Sequence, residues 1–323
     1  MEINSMTRSN NIFGTVFTKS LLVSGCCAIA IMLPLADAWA LEGGGSHYFG
    51  GNEDFGAGMW PPAGLSVNYS LLYFRYYRSM DADGHKQDIP GGFDVNGLSN
   101  SLRFMYTTGL NVLGGQIGWF FTPAFVSQEM KLGERTDAKS TFGDINFGII
   151  LKQDWQTFHQ VIGTDIWAPT GEYQKDELVN IGLNYWSFAP TYAFTYLGDQ
   201  DSPIPGFEVS ARLAYYFHTP NHATGYTSGQ EFAVDYLIGQ RFGPTGIRVG
   251  INGVFNYQVT GDTYPDEDRF AGLNGNKAQQ LTIGPAIQYP IGNGLITLKA
   301  LFGVHDVNRP EGDSLSFKIW YPL

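Results

Sequence analysis

Cysteine is confined to two adjacent positions near the amino terminus, Cys26 and Cys27. No disulfide framework can therefore staple the rest of the chain, and no thiol is available there for catalysis or metal binding. Long apolar runs are scarce too. After Ala40 there is no stretch of about 18 apolar residues, which excludes a transmembrane helix. Helical spacing is poor, because Gly is frequent (41 residues) and apolar side chains recur at every second place far more often than at every third or fourth. Basic charge is the last scarcity. Nineteen Lys and Arg face 30 Asp and Glu, and the net charge stays at −11 when residues 1–40 are set aside. Nothing in that balance suits a phosphate backbone, so nucleic acid is excluded as a partner. No motif for a cofactor is present, and none is expected.

The carboxyl terminus is the most informative stretch that is present. In Leu315-Ser-Phe-Lys-Ile-Trp-Tyr-Pro-Leu323, Leu315, Phe317, Ile319, Tyr321 and Leu323 alternate with Ser316, Lys318, Trp320 and Pro322 up to the last residue. An uncapped strand with one large apolar face invites aggregation in water. In an outer-membrane barrel that strand pairs with the first one and turns the same face to lipid. The tail is similar to the terminal signal read by the barrel assembly machinery, with Leu323 where a final Phe is usual.

The amino terminus agrees. Arg8 and Lys19 precede an uncharged apolar run, Leu21 to Leu35, too short to span a bilayer. Ala36-Asp-Ala-Trp-Ala40 comes next as a small-x-small cleavage site, so residues 1–40 read as a signal peptide. Cleavage after Ala38 is the second choice, Val23-Ser-Gly-Cys26 is a weaker lipoprotein-like alternative, and Met6 is a candidate start.

Twelve strands are expected, near 65–77, 94–108, 115–130, 141–152, 156–168, 181–197, 207–219, 229–242, 246–260, 278–290, 294–305 and 313–323. In the ninth, Ile247, Val249, Ile251, Phe255 and Tyr257 share one face, opposite Arg248, Asn252, Asn256 and Gln258. Connections after strands two, four, eight and ten are short, whereas those after one, three, five, seven and nine are longer and polar. Short turns at one end and polar loops at the other are the layout of a transmembrane antiparallel up-and-down β-barrel spanning 64–323. An even strand number puts both termini on the short-turn, periplasmic side. The expected setting is the outer membrane of a Gram-negative bacterium, with lipid against the apolar face.

The opposite face then lines the lumen. Arg103, Asp144, Lys152, His159, Asp165, Glu208, Arg212, His218, Glu231, Asp235, Arg241, Arg248 and Lys299 project inward on this reading. Turning an Arg or Lys to lipid at mid-depth would cost about 2–4 kcal/mol each. Two accounts of these charges stay open: an ion-pair network that fills the barrel, and a charge-lined polar pathway. Ahead of the first strand, residues 41–63 are Gly-rich yet carry Tyr48, Phe49, Phe55, Met59 and Trp60. A plain linker would lack those aromatics. The segment reads as a plug entering the lumen from the periplasmic side, or else as a loosely docked tail.

Several motifs carry a resemblance. Gly143-Asp144, Asp154-Trp155, His159, Gly163-x-Asp165, Ala168-Pro-Thr-Gly-x-Tyr173 and Asn180-x-Gly-x-Asn184-x-Trp186-x-Phe-x-Pro190 resemble the SphA-like family associated with the meta pathway of phenol degradation. Leu41-Glu-Gly-Gly and Pro61-Pro-x-Gly64 are similar to it as well. Gly148 and Gln174 depart from the pattern, where Pro and Asp are usual. The resemblance implies an outer-membrane barrel found near genes for aromatic breakdown, passing small hydrophobic, including aromatic, solutes. The motif residues also have structural explanations, as a turn folded over the mouth and as pairing or girdle positions.

Catalysis is not expected. His47, His85, His159, His218, His222 and His305 are the candidate bases, but no Ser motif accompanies them in a suitable strand context. His159 and Asp165 lie about 20 Å apart along one strand. A third reading is a non-conducting structural or ligand-binding barrel. In it, the acidic run Tyr264-Pro-Asp-Glu-Asp-Arg269 is more simply a solvated loop than a cation site.

Overall fold

The computed structural model describes residues 42–48, 50–265 and 277–323. The expected leader with Cys26 and Cys27, the aromatic Phe49 and most of the acidic run, residues 266–269, lie outside the described residues. Among the described residues, one 3-10 turn, Glu42–Gly44, precedes the strands. Among the described residues no helix is long and apolar enough to cross a membrane.

The first strands are Gly64–Ser79 (β1), Phe93–Val112 (β2), Gly115–Thr122 (β3), Ala124–Leu132 (β4), Arg135–Phe142 (β5), Ile145–Asp154 (β6) and Phe158–Ala168 (β7). They continue as Ser187–Leu197 (β8), Phe207–His218 (β9), Glu231–Phe242 (β10), Ile247–Gln258 (β11), Gln279–Ile291 (β12), Gly294–Val307 (β13) and Pro310–Pro322 (β14). β2 pairs with both β3 and β4, and these pair onward with β6 and β5 respectively. β3 with β4, and β5 with β6, are thus each one stave with a break in it, and the sheet has the twelve staves expected. The breaks have local causes. Pro123 lacks the amide a continuous ladder needs, and Gly143-Asp144 is drawn aside by bonds from Gly143 N to Ala124 O and from Gly171 N to Asp144.

Closure is made by β1, which pairs with β14 from Ser66↔Pro322 to Ser79↔Pro310 and with β2 from Gly64↔Thr107 to Tyr76↔Val95. The chain ends in that seam, where Leu323 N donates to Leu65 O at 2.9 Å. A closed antiparallel sheet satisfies every ladder group internally, which is what a bilayer demands. Its outward rows are apolar, with Trp119, Phe121, Ile149, Ile251, Ile287 and Phe302 all exposed.

Two expectations change. Polar residues 131–140, expected as a loop, extend β4 and β5 into a hairpin closed by Gly133-Glu134, with cross-strand pairs out to Leu132↔Arg135. Residues 181–186, expected as strand, are irregular. Asn184 sits at φ 58°, and Leu183 N is taken by Asp144 at 2.8 Å, so the ladder starts only at Ser187. The unusual Gly148 has a packing reason, since a Cβ there would meet Thr164 O at 1.9 Å and the Phe120 ring at 2.7 Å.

Candidate functional site

Residues 42–48 and 50–61 lie inside this barrel, bonded to its wall from one end to the other. At the end of the long connections, Glu42 accepts from Tyr173 Oη at 3.1 Å, Asn221 Nδ2 at 2.7 Å and Thr224 Oγ1 at 2.7 Å. Burial beside Glu42 pushes the Tyr173 phenol up to about 12, so it stays a donor. At the end of the short connections, Lys152 Nζ donates to Trp60 O at 3.1 Å and Thr107 Oγ1 donates to Pro61 O at 2.9 Å. From the short-connection end, where β1 begins, the segment thus runs back through the lumen to Glu42 at the end of the long connections. Only the start of β1 and the chain's last residue share the short-connection end.

Between those ends the polar wall and the segment are matched group by group. Asp235 accepts from Tyr48 Oη at 2.6 Å, Gly51 N at 3.0 Å and Glu53 N at 3.2 Å. Asp54 lies 2.8 Å from Lys318 Nζ and 3.2 Å from Lys299 Nζ. Those two ammonium groups also donate to the backbone carbonyls of Asn52 and Gly51. Arg103 pairs with Glu53 at 2.9 Å and stacks on Phe120. Gly56 N donates to Glu208 at 2.7 Å, and Gly58 N to Thr195 Oγ1 at 2.9 Å.

Apolar contacts fit the same line. Phe55 sits over Gly239 and Gly250, which are register partners, and a Cβ on either would press on its ring at 2.9 and 3.3 Å. Trp60 lies on Phe120, and Tyr48 on Tyr216.

Near the long-connection end a buried chain of polar groups joins the segment to three staves. His47 Nε2 meets Asp144 Oδ2 at 2.8 Å and its Nδ1 meets Ser187 Oγ at 2.6 Å. The same hydroxyl meets His218 Nδ1 at 2.7 Å, and His218 Nε2 faces Glu231 at 3.3 Å. Asp144 also accepts two backbone amides, and Glu231 accepts Ser46 and Asn256, so both carboxylates act as acceptors. His47 Nε2–H donates to Asp144, and the Ser187 hydroxyl lies between the Nδ1 atoms of His47 and His218, donating to one and accepting from the other. Ser187, His47 and Asp144 have the composition of a hydrolytic triad, but the hydroxyl is fully buried between two rings and has no room for a carbonyl.

Of the other expected lumen residues, Arg212 and Asp165 pair at 2.8 Å, Arg248 joins Glu208 at 3.2 Å, and Asp154 bridges His159 at 2.8 Å and Lys152 at 2.9 Å. Arg241 stands opposite Arg248 in register, partly exposed. Sequence reasoning gave no site role to Glu42, Glu53, Asp54, Ser187 or Lys318, and set His47 only among the candidate bases. Lys318 was findable, since it alternates with the apolar row of the last strand. Glu42, His47, Glu53 and Asp54 lie in Gly-rich chain, where no periodicity assigns a face.

A twelve-stave closed sheet with apolar outside and ionised inside is an outer-membrane β-barrel. Within that class, the family described as "Putative MetA-pathway of phenol degradation" matches residues 78–319, and the chain belongs to it. The COG4313 outer membrane channel from Pseudomonas putida F1 superposes with a TM-score of 0.69 at 14% identity, covering 82% of this chain and 97% of that one. The β domain of the Bordetella autotransporter BrkA gives a TM-score of 0.44 at 8% identity, over 81% of this chain and 100% of that one. No curated protein matches the sequence.

Proposed function

We propose that this barrel is a passive channel for small hydrophobic, including aromatic, solutes, held closed by residues 42–61. The observation that carries the reading is that segment's course through the lumen, fixed by Asp235, Lys299, Lys318, Arg103 and Glu208. A barrel meant only as a scaffold could fill its lumen with wall side chains alone. Here the filling is a single strip of backbone attached to the wall at its β1 end, and such a strip can move without opening the sheet. Its aromatic groups, Tyr48, Phe55 and Trp60, supply apolar surface along an otherwise ionised interior. Superposition on a channel supports the fold, and the family description points to aromatic breakdown as the setting.

The test is single-channel recording in planar bilayers of the full protein and of a variant lacking residues 42–61, both checked for folding by heat-modifiable gel mobility. Conductance that rises several-fold on deletion is expected. A folded variant that stays silent would overturn the channel reading and leave a filled, binding or structural barrel.

A further inference from the structure

The segment is not centred in the lumen. Between residues 48 and 54 its bonds go to Asp235 of β10, Lys299 of β13 and Lys318 of β14, and a single arm, Glu53, crosses to Arg103 of β2. The wall facing that gap carries small polar side chains. Asn68 and Ser70 of β1 and Ser99 and Ser101 of β2 border a cavity of about 90 Å³ that Asn52 closes from the segment side. Towards the long connections the same cavity is bounded by Leu72, Val126, Ile181 and Trp167.

Its charged neighbours are already neutralised. Arg103 is paired with Glu53, Lys318 with Asp54, and Asp144 with His47 and two amides. An ionic solute would lose its hydration there and find no free counter-charge. Hydroxyls and carboxamides, by contrast, can exchange bonds with a neutral solute, since Ser both donates and accepts. The volume exceeds the roughly 10–15 Å³ that one water needs and falls short of the roughly 150 Å³ of a cavity that takes benzene. A six-membered ring therefore fits only when the chain at Asn52 gives way.

Resting on the proposed channel reading, we infer that the passage runs between Asn52 and the β1–β2 wall, and that it selects uncharged molecules bearing a hydroxyl on a compact apolar body. Ser70, Ser99 and Ser101 are the residues that would hold the hydroxyl, with the apolar body against Leu72 and Val126.

Because Cys26 and Cys27 are the only cysteines in the sequence, single cysteines further on can be probed cleanly. Ser99→Cys, with Ser70→Cys as the substitute if the first does not fold, is treated with a methanethiosulfonate reagent during current recording. Ala233→Cys, on the wall the segment covers, is treated in parallel. Block at position 99 or 70 with none at 233 is expected. Block at both walls, or at neither while current flows, overturns the placement yet leaves the channel standing; absence of current even without residues 42–61 is the separate failure of the channel reading. The chemical class is tested with cyclohexanol, cyclohexanecarboxylate and cyclohexylammonium as current blockers. Cyclohexanol should block at concentrations about tenfold below the other two, and Ser99→Ala should raise its half-blocking concentration about threefold to tenfold. Equal block by the three compounds, or no change in Ser99→Ala, would refute the class.

Discussion

Gly58→Ala is the sharpest single test of how the segment is seated. A Cβ at Gly58 would lie 2.5 Å from His159 O, 2.5 Å from Thr195 N and 2.6 Å from Phe194 C. All three are backbone atoms of β7 and β8, fixed in the ladder, so the wall cannot yield and the segment must. Overpacking of this kind costs about 1–3 kcal/mol. The shift also stretches the 2.9 Å bond from Gly58 N to Thr195 Oγ1, adding about 0.5–1.5 kcal/mol. Together these remove about 1.5–4.5 kcal/mol from the seated state only, because an unseated segment has no wall to meet. At about 1.4 kcal/mol per factor of ten, the ratio of unseated to seated barrels rises roughly tenfold to a little over a thousandfold. Open probability at fixed voltage reads that ratio directly. Gly109→Ala, where an added Cβ meets nothing within 4 Å, is the matched control. If Gly58→Ala folds and its open probability equals that of the control, residues 42–61 are not what closes the barrel.

The same contacts set other outcomes. Asp54→Asn strips the counter-charge from Lys299 and Lys318, so the reversal potential in a salt gradient should move towards anion preference; an unchanged potential would mean these lysines do not border the ion path. Burial holds the His47 imidazole below its ordinary range, about 6.5, so the seated ring is favoured neutral and acid, by adding a proton to it, should favour the unseated segment. Currents should then rise as pH falls, and His47→Gln should flatten the profile. Removing Tyr321 to Leu323 deletes the Val67↔Tyr321 and Ser66↔Pro322 pairs and the final bond to Leu65 O, so the yield of heat-modifiable barrel should drop sharply while Leu323→Phe leaves it intact.

Strand number and facing were legible because period-two alternation is a local signal that every stave repeats. Arg248, Asn252 and Asn256 alternate with Ile251 and Phe255 in the sequence as they do across the sheet. The breaks at Pro123 and Gly143-Asp144 left the strands recognisable but hid that each was one stave in two pieces. Residues 181–186 misled because Leu183 and Tyr185 alternate like a strand, while the left-handed turn at Asn184 is set by a distant carboxylate. The charged groups were legible one at a time, and their partners were not. Asp165 and Arg212 come from different staves, and Asp54 meets lysines roughly 250 residues away, a pairing that no spacing rule encodes.

The placement of Lys318 has a consequence for assembly. The counter-charges for Asp54 reside on the last two staves, and the other partners of residues 46–58 are spread from Arg103 on β2 and Asp144 ahead of β6 to Asp235 on β10. No early portion of the chain contains a complete seat for its own amino-terminal strip, and contacts of such long sequence separation form late. The sheet must close on itself before the strip can settle. On the proposed channel reading the strip is thus a final bolt, and the rate at which it slides home would set how long each newly inserted barrel leaks across the membrane that receives it.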